Sequence, residues 1–321
     1  MIVRWGLEAL EPLLGELGSE RPLLVTSERF AGADLPVARR FTGVRRHAPV
    51  DVVAAATDAA RGAGADGLVG LGGGSAIDTA KATSAATGLQ LVAVPTTYSG
   101  SEWTPYFGMR DEARRAKTGG SGANTVAVVY EPALTLELPR DESVGTAMNA
   151  LAHCAEALYA GPCEDASVGA HLIGTWLPVV AAGGSDLEAR TKLLEGAMHA
   201  GMALAERGLF LAHAMAQALG GRYGVSHGAM NALCLAPALR YNEPVVPDAL
   251  ASLARALGAV DAPERVEELS RLGGFERLRD FGIPEDELPE AAAETAQRPA
   301  ARSNPRPVTA ADVEALFRSI W

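Results

Sequence analysis

VGLGGGSAIDTAKATSAATGLQLVAVPTTYSGSE, residues 69–102, decides the fold of this 321-residue chain. It reads as a strand, a glycine loop, a helix, a second strand and a polar turn. Gly72, Gly73 and Gly74 let the backbone turn sharply and approach a ligand closely, and Ser75 is placed to cap a helix starting near Ala76. The N-terminus of such a helix offers unpaired N–H groups and positive dipole to a phosphate or pyrophosphate. The letters match neither G-x-G-x-x-G nor a P-loop ending in Lys-Ser/Thr. A plain tight turn also gives three glycines after a strand. The second strand adds weight, because LVAVP runs into Thr96, Thr97, Tyr98, Ser99, Gly100, Ser101 and Glu102, a polar cluster at a strand's carboxyl end. Open α/β sheets bind ligands at that edge.

Outward from this stretch, residues 20–135 alternate strand and helix. RPLLVTS (21–27) is a buried strand, TGVRRHA (42–48) a weaker one, and VDVVAAATDAARGAGA (50–65) an amphipathic helix stopped by glycines. YFGMR and TVAVVY (125–130) read as strands around a polar, basic loop containing Lys117 and Thr118. This succession predicts a mostly parallel sheet with helices on its faces. From Ser143 onward the period is helical, over about 143–160, 165–183, 187–207, 209–219, 228–239, 247–257, 261–272 and 308–320, the last capped by Thr309. The segment QRPAARSNPRP (297–307) approaches that final helix. The fold class is thus α/β plus all-α: a Rossmann-like domain over 1–138 with a nucleotide-type ligand at its strand ends, and an all-helical domain over 139–321.

Composition sets the bounds. The chain exceeds the about 250–300 residues at which a single core stops growing, and 48% hydrophobic with 21% charged residues suits a globular protein. A net charge of -11 argues against a nucleic-acid partner and a polybasic membrane surface. No apolar run approaches the roughly 20 residues of a membrane span. Three unpaired cysteines, Cys154, Cys163 and Cys234, fit a reducing compartment, and the N-terminus lacks the pattern of a secretory signal, so the cytoplasm is expected.

Three of the six histidines stand out. Asn149 and His153 lie four apart and share a helix face, while His213 and His227 bridge one helix and the turn before the next. Imidazoles bind metals or transfer protons near neutral pH, although single histidines on Ala-rich helices also serve simply as core hydrogen-bonding groups. One amide with three neutral imidazoles lacks an anionic ligand, so the expectation is a polar cleft that works without metal. His47, His171 and His199 are read as structural or surface groups.

The segments LLVTS, GGGSAIDTAK, PTTYSGSEWTP, Lys117-Thr118-Gly119, YEPALTLELP, MNALAHCAEALYA, the His213/His227 block and NPRPVTAADVEALF resemble the iron-containing alcohol dehydrogenase superfamily, most closely its maleylacetate reductases. The resemblance runs almost end to end. It implies a dehydroquinate synthase-like fold: a dinucleotide-binding α/β domain, a helical domain and an active site between them. By position it puts the superfamily's metal ligands at Asn149, His153, His213 and His227, the first being Asp in the metal-dependent alcohol dehydrogenases and Asn in maleylacetate reductases. Gln217 and Asn231 stand where relatives carry histidine, which puts the exact substrate in question.

The resemblance further implies that NAD(P)H lies along Gly72, Gly73, Gly74 and Ser75 and the Thr96–Thr97 turn, with Asp78, Lys81 and Ser101 supporting it. Acidic residues at a strand end select NAD; Ser27 replaces the Asp of strict NAD users, and Arg29 is placed to meet a 2′-phosphate, so NADPH is expected to be accepted, alongside NADH. Catalysis is assigned to His153, His213, His227, Tyr98 and Lys117, with Arg222 as a further candidate for a substrate carboxylate. The implied reaction is reduction of the C=C bond of a 4-oxo-hexenedioate to 3-oxoadipate, in aromatic-compound degradation, by a homodimer whose N-terminal MIVRWGLEAL could pair across a two-fold axis. One alternative is an aldehyde or ketone reductase of a biosynthetic pathway, marked by turnover of simple aldehydes. Another is a catalytically lapsed dinucleotide-binding protein, marked by cofactor binding without hydride transfer.

Overall fold

A computed structural model describes residues 1–114 and 116–321. The chain forms two compact units: Met1–Thr97 with Ser101–Thr135, and Tyr98–Gly100 with Leu136–Trp321.

The first unit is built on six parallel strands, β1 (Ile2–Trp5), β2 (Pro22–Val25), β3 (Arg39–Phe41), β4 (Gly67–Gly72), β5 (Leu91–Pro95) and β8 (Thr125–Tyr130), in the order β1-β8-β5-β4-β2-β3. β2, β4 and β5 are buried throughout. They therefore read as near-continuous apolar runs, as strands covered on both faces must. Side chains alternate in direction along each strand. Leu24, Val69, Leu71, Val92, Val94, Ala127 and Val129 accordingly join one core with Leu10, Leu13 and Leu14 of helix α1 (Leu10–Glu16). Leu23, Val25, Leu68 and Leu91 join the other. There they meet Ala60 of α2 (Val50–Gly62) and Ala80 of α3 (Gly74–Thr87). Each fully buried Leu or Val side chain is worth about 1.5–3 kcal/mol. Read without β1, the order is that of a doubly wound sheet whose winding reverses between β2 and β4, and ligands of such sheets bind beyond the carboxyl ends of the strands at the reversal.

Several elements differ from expectation. The edge strand beside β2 is Arg39–Phe41, not 42–48; it is short and its two arginines are exposed, so no apolar pattern marks it. The segment after it carries positive φ at His47 (64°) and Ala48 (45°), incompatible with a strand. β1 went unrecognised because only one side pairs in this sheet and Trp5 is partly exposed. Leu10, from the N-terminal segment expected to meet a partner copy, is instead fully buried in the core. Lys117 and Thr118 lie in a strand rather than a loop: β6 (Phe107–Asp111) and β7 (Ala116–Gly120) form a separate antiparallel ribbon, in which Arg110 pairs with Lys117.

Among the described residues the second unit contains helices and no strand. They are α4 (Arg140–Ala157), α5 (Glu164–Ala182), α6 (Leu187–Arg207), α7 (Leu211–Tyr223), α8 (His227–Asn242), α9 (Pro247–Ala256), α10 (Ala262–Arg271), α11 (Leu288–Gln297), α12 (Pro299–Arg302) and α13 (Ala310–Ser319). α11 was not anticipated, although Leu288, Ala291, Ala292 and Thr295 are buried with helical spacing. Thr309 does cap α13, in a reciprocal capping box with Asp312. α4 is buried along nearly its whole length and packs against α5, α6 and α8. The contact with α8 is made by glycines: a Cβ on Gly228 would stand 2.5 Å from the carbonyl carbon of Gly145. Only backbone meeting backbone allows this approach. Among the described residues no helix is long and apolar enough to cross a membrane.

Candidate active site

In the first unit the glycine loop joins β4 to α3. Gly72 has φ of 141°, a conformation L side chains rarely adopt, and a Cβ there would lie 2.8 Å from the Cβ of Ala76. A Cβ on Gly73 would lie 2.9 Å from Cγ2 of Thr97. The Thr96 N–H donates to the Gly72 carbonyl at 3.0 Å. Loop and turn thus lie side by side at the strand ends. Ser75 does not cap α3: its Oγ accepts from the His47 N–H at 2.9 Å, and Gly73 occupies the cap position without a side chain to use. The first turn of α3 therefore keeps the unpaired N–H groups of a helix start. Buried Oγ1 of Thr97 and Oγ of Ser101 have no partner within the described residues. Bare loop, helix start and waiting hydroxyls fit the pyrophosphate and ribose of a dinucleotide.

Asp78 accepts from the Gly108 N–H at 3.1 Å and lies 3.9 Å from Lys81. Burial raises its pKa, with Lys81 and Lys117 opposing the shift. Lys81 is completely buried and donates to the Ser101 carbonyl at 2.6 Å and to Thr104 Oγ1 at 3.3 Å, so it braces the turn after β5 from below. Buried Glu102, accepting from the Tyr130 hydroxyl at 2.8 Å, continues this polar layer. Thr26 Oγ1 donates to the Leu71 carbonyl at 2.8 Å, tying β2 to β4 at the reversal point, and Ser27 follows it there. Arg29 is exposed, with its guanidinium over the Phe30 ring at 5.1 Å.

In the second unit α4, α7 and α8 bring Asn149, His153, His213, His227 and Asn231 together. The His153 and His213 rings stack at 4.7 Å with planes 11° apart, and His227 lies 6.1 Å from His213. Asn149 donates through Nδ2 to the Ser99 carbonyl at 3.0 Å, which fixes its orientation and turns Oδ1 toward Asn231. Asn231 Nδ2 donates to that oxygen at 2.8 Å and lies 3.1 Å from His227 Nε2. His153 Nδ1 and His213 Nε2 are buried and have no partner among the described residues. Burial, then the neighbouring His213, holds the His153 pKa well below the usual imidazole value, so this ring is neutral at pH 7. Behind the cluster, Glu156 accepts from His213 Nδ1 at 2.7 Å. Sequence reasoning passed over Glu156; its signal was a lone acid within the apolar run ALAHCAEALYA.

Two expected contributors act elsewhere. Tyr98 is fully buried, and its hydroxyl accepts from Arg190 Nη1 at 3.0 Å; it anchors the segment Tyr98–Gly100 rather than facing substrate. Arg190, 2% exposed, also donates to Ser143 Oγ at 2.8 Å and the Gly184 carbonyl at 2.9 Å. Arg222 is held by Glu287 at 3.0 Å and by Glu290, so its charge is already met and a substrate carboxylate would compete with two acids. Gln217 is half-buried on α7, one turn beyond His213.

The glycine loop on a doubly wound sheet and the imidazole cluster define an NAD(P)H-dependent oxidoreductase. Residues 4–130 match the iron-containing alcohol dehydrogenase family, and residues 143–321 match the C-terminal domain of the Fe-containing alcohol dehydrogenase family. The chain belongs to this iron-containing alcohol dehydrogenase family. Maleylacetate reductase of Sphingobium indicum is 35% identical over 311 residues, spanning 92% of this chain and 87% of the relative. That of Burkholderia cepacia is 33% identical over 341 residues, spanning 99% and 95%. The solved maleylacetate reductase of Rhizobium sp. superposes with a TM-score of 0.90 at 31% identity, covering all of this chain and 95% of the other. An iron-containing alcohol dehydrogenase of Corynebacterium glutamicum gives 0.92 at 30% identity, covering 100% and 94%.

The family's iron can be tested against the donors present. Asn149 Oδ1 already accepts an N–H from Asn231, the same amide nitrogen lies against His227 Nε2, and no member of the set is a carboxylate. Among the described residues no group of three or more His, Cys, Asp and Glu side chains has the geometry to hold a metal ion. A hard or borderline cation prefers anionic oxygen. The donor set is thus one amide and three imidazoles, without a carboxylate.

Proposed function

We propose that this protein is an NAD(P)H-dependent reductase of maleylacetate or a closely similar unsaturated oxo-dicarboxylate, working without a bound metal. The observation that carries the reading is the stacked His153–His213 pair, each ring with one buried nitrogen that meets no partner among the described residues, in a chain similar to several maleylacetate reductases. Gly72–Ser75 and the Thr96–Thr97 turn would hold the dinucleotide, whose reduced nicotinamide would supply the hydride. Asp78 and Ser101 are assigned to the cofactor, and Ser27 puts no carboxylate at its own position to repel a 2′-phosphate, with exposed Arg29 two residues on. NADPH is therefore accepted alongside NADH. His153, neutral at pH 7, donates a hydrogen bond to a substrate oxygen; His213 and His227 carry the proton that completes the reduction. Lys117 is the cation we assign to a substrate carboxylate. The edge position of β1 supports pairing of two copies, which light scattering would check.

The test is oxidation of NADPH and NADH followed at 340 nm with maleylacetate, with and without EDTA, and with added Fe²⁺ or Zn²⁺. Rapid turnover unaffected by chelation is expected. Turnover that appears only with added metal would refute the metal-free reading, and turnover of simple aldehydes but not maleylacetate would favour a carbonyl reductase. Gln217 supports that second reading: it can donate a hydrogen bond to a carbonyl but cannot supply a proton near neutral pH.

A further inference from the structure

Glu156 is 0% exposed, and among the described residues its only ion-pair partner is His213. A buried carboxylate is costly unless hydrogen-bonded. Here both oxygens are engaged. Oε2 accepts from the Phe210 N–H at 2.8 Å and lies 2.7 Å from His213 Nδ1; Oε1 accepts from the His213 N–H at 3.3 Å. Phe210 is the cap residue of α7 and offers no side-chain acceptor of its own. Glu156, reaching from α4, supplies the missing cap and places negative charge at the positive end of the α7 dipole. Backbone N–H groups donate to both carboxyl oxygens, so the carboxyl stands as an acceptor on this side of the cluster and the ring presents Nδ1–H to it.

We propose that Glu156 is the positioning residue of the imidazole cluster: it tethers His213 through Nδ1 and leaves Nε2 as the single atom through which that ring exchanges a proton with substrate. The proposal rests on the reductase reading above. His213 Nε2 is buried and has no partner among the described residues, and the flat stack against His153 leaves the ring no other rotation that keeps both contacts. The proton then enters and leaves His213 at Nε2 only, while Nδ1–H stays on the Glu156 bond throughout. A merely structural carboxylate would hold the α7 end equally well without dictating which ring nitrogen is protonated.

The test reads the ring directly. Nitrogen NMR on the intact protein labelled with ¹⁵N-histidine, assigned by comparison with His213→Asn, is expected to show His213 with its proton on Nδ1. A bare Nδ1 with the proton on Nε2 would overturn the proposal whatever the activity. The second arm is Glu156→Gln, which keeps the size and one accepting oxygen. It is expected to lower kcat about 10–100-fold, the usual cost of losing an imidazole's outer partner, with KM and the NADPH dissociation constant within threefold of wild type. Full kcat in folded Glu156→Gln would equally overturn it. If wild-type protein does not turn over maleylacetate while Nδ1 is protonated, the reductase reading fails and the tether stands.

Discussion

Replacing Gly73 by alanine is the sharpest single probe of the cofactor loop. Gly73 has φ of -76° and ψ of -174°, open to any residue, so the substitution adds no backbone strain. What it adds is a methyl carbon 2.9 Å from Thr97 Cγ2, where carbon atoms normally rest about 3.5–4.0 Å apart. The shortfall is therefore about 0.6–1.1 Å. Overpacking of that size costs about 1–3 kcal/mol. If the strain is relieved by moving loop and turn apart, the dinucleotide loses its seat, and the same energy appears as a rise in its dissociation constant of about 5–150-fold. Titration of NADPH by nucleotide fluorescence reads this, with thermal melting as the control for global stability. The companion variant Gly73→Ala/Thr97→Ser removes the clashing Cγ2, leaves the Oγ atom and should recover most of the affinity, since contacting residues couple strongly. Wild-type affinity in the single variant, or no recovery in the double, would refute the placement of cofactor along this loop.

Arg190→Met leaves Tyr98 Oη, Ser143 Oγ and the Gly184 carbonyl without their donor, and buried groups so orphaned cost about 1–3 kcal/mol each. Urea unfolding should show a loss of about 3–9 kcal/mol, and a loss below about 1 kcal/mol would mean the guanidinium is not the anchor described. Thr309→Ala removes the cap of α13 and should cost about 0.5–2 kcal/mol at pH 7. Thr309's hydroxyl and backbone N–H hold the Asp312 pKa below the usual carboxylate value. The unfolded chain thus binds this proton more tightly; the stabilisation is present above the unfolded carboxylate pKa and fades as pH falls through the folded one. Acid titration of stability in wild type and Thr309→Ala should therefore converge at low pH. Asn149→Asp puts an anionic oxygen among three imidazoles, and calorimetry with Zn²⁺ should show binding at least tenfold tighter than to wild type; equal affinities would contradict the donor-set argument.

The stretch 69–102 was legible because both periodicities, the two-residue alternation and the helical turn, appear there with glycines and a proline as punctuation. The all-helical half was legible for the same reason: Ala- and Leu-rich helices with caps such as Thr309 announce themselves. What escaped was what local pattern does not encode. β3 carries two exposed arginines and pairs with β2, so its strand character comes from a neighbour distant in sequence. Lys117 sits in β7, which pairs with β6 to form the separate ribbon. Tyr98 stands in a polar cluster that looked wholly ligand-facing, yet a buried arginine 92 positions away claims its hydroxyl. Three imidazoles of the site were visible as spacing, while Glu156 was hidden among alanines because its partners lie on another helix.

The glycine-to-glycine crossing of α4 and α8 has a bearing on how such a site diversifies. With backbone against backbone at Gly145 and Gly228, the separation of the two helices is set by main-chain atoms and owes nothing to the residues nearby. Positions 149 and 231, a turn or less farther along each helix, then face each other whatever side chains occupy them. The crossing behaves as a jig: an acid, an amide or an imidazole can be exchanged at either position and the frame stays the same, so the chemistry of the pocket is free to drift while its dimensions are inherited.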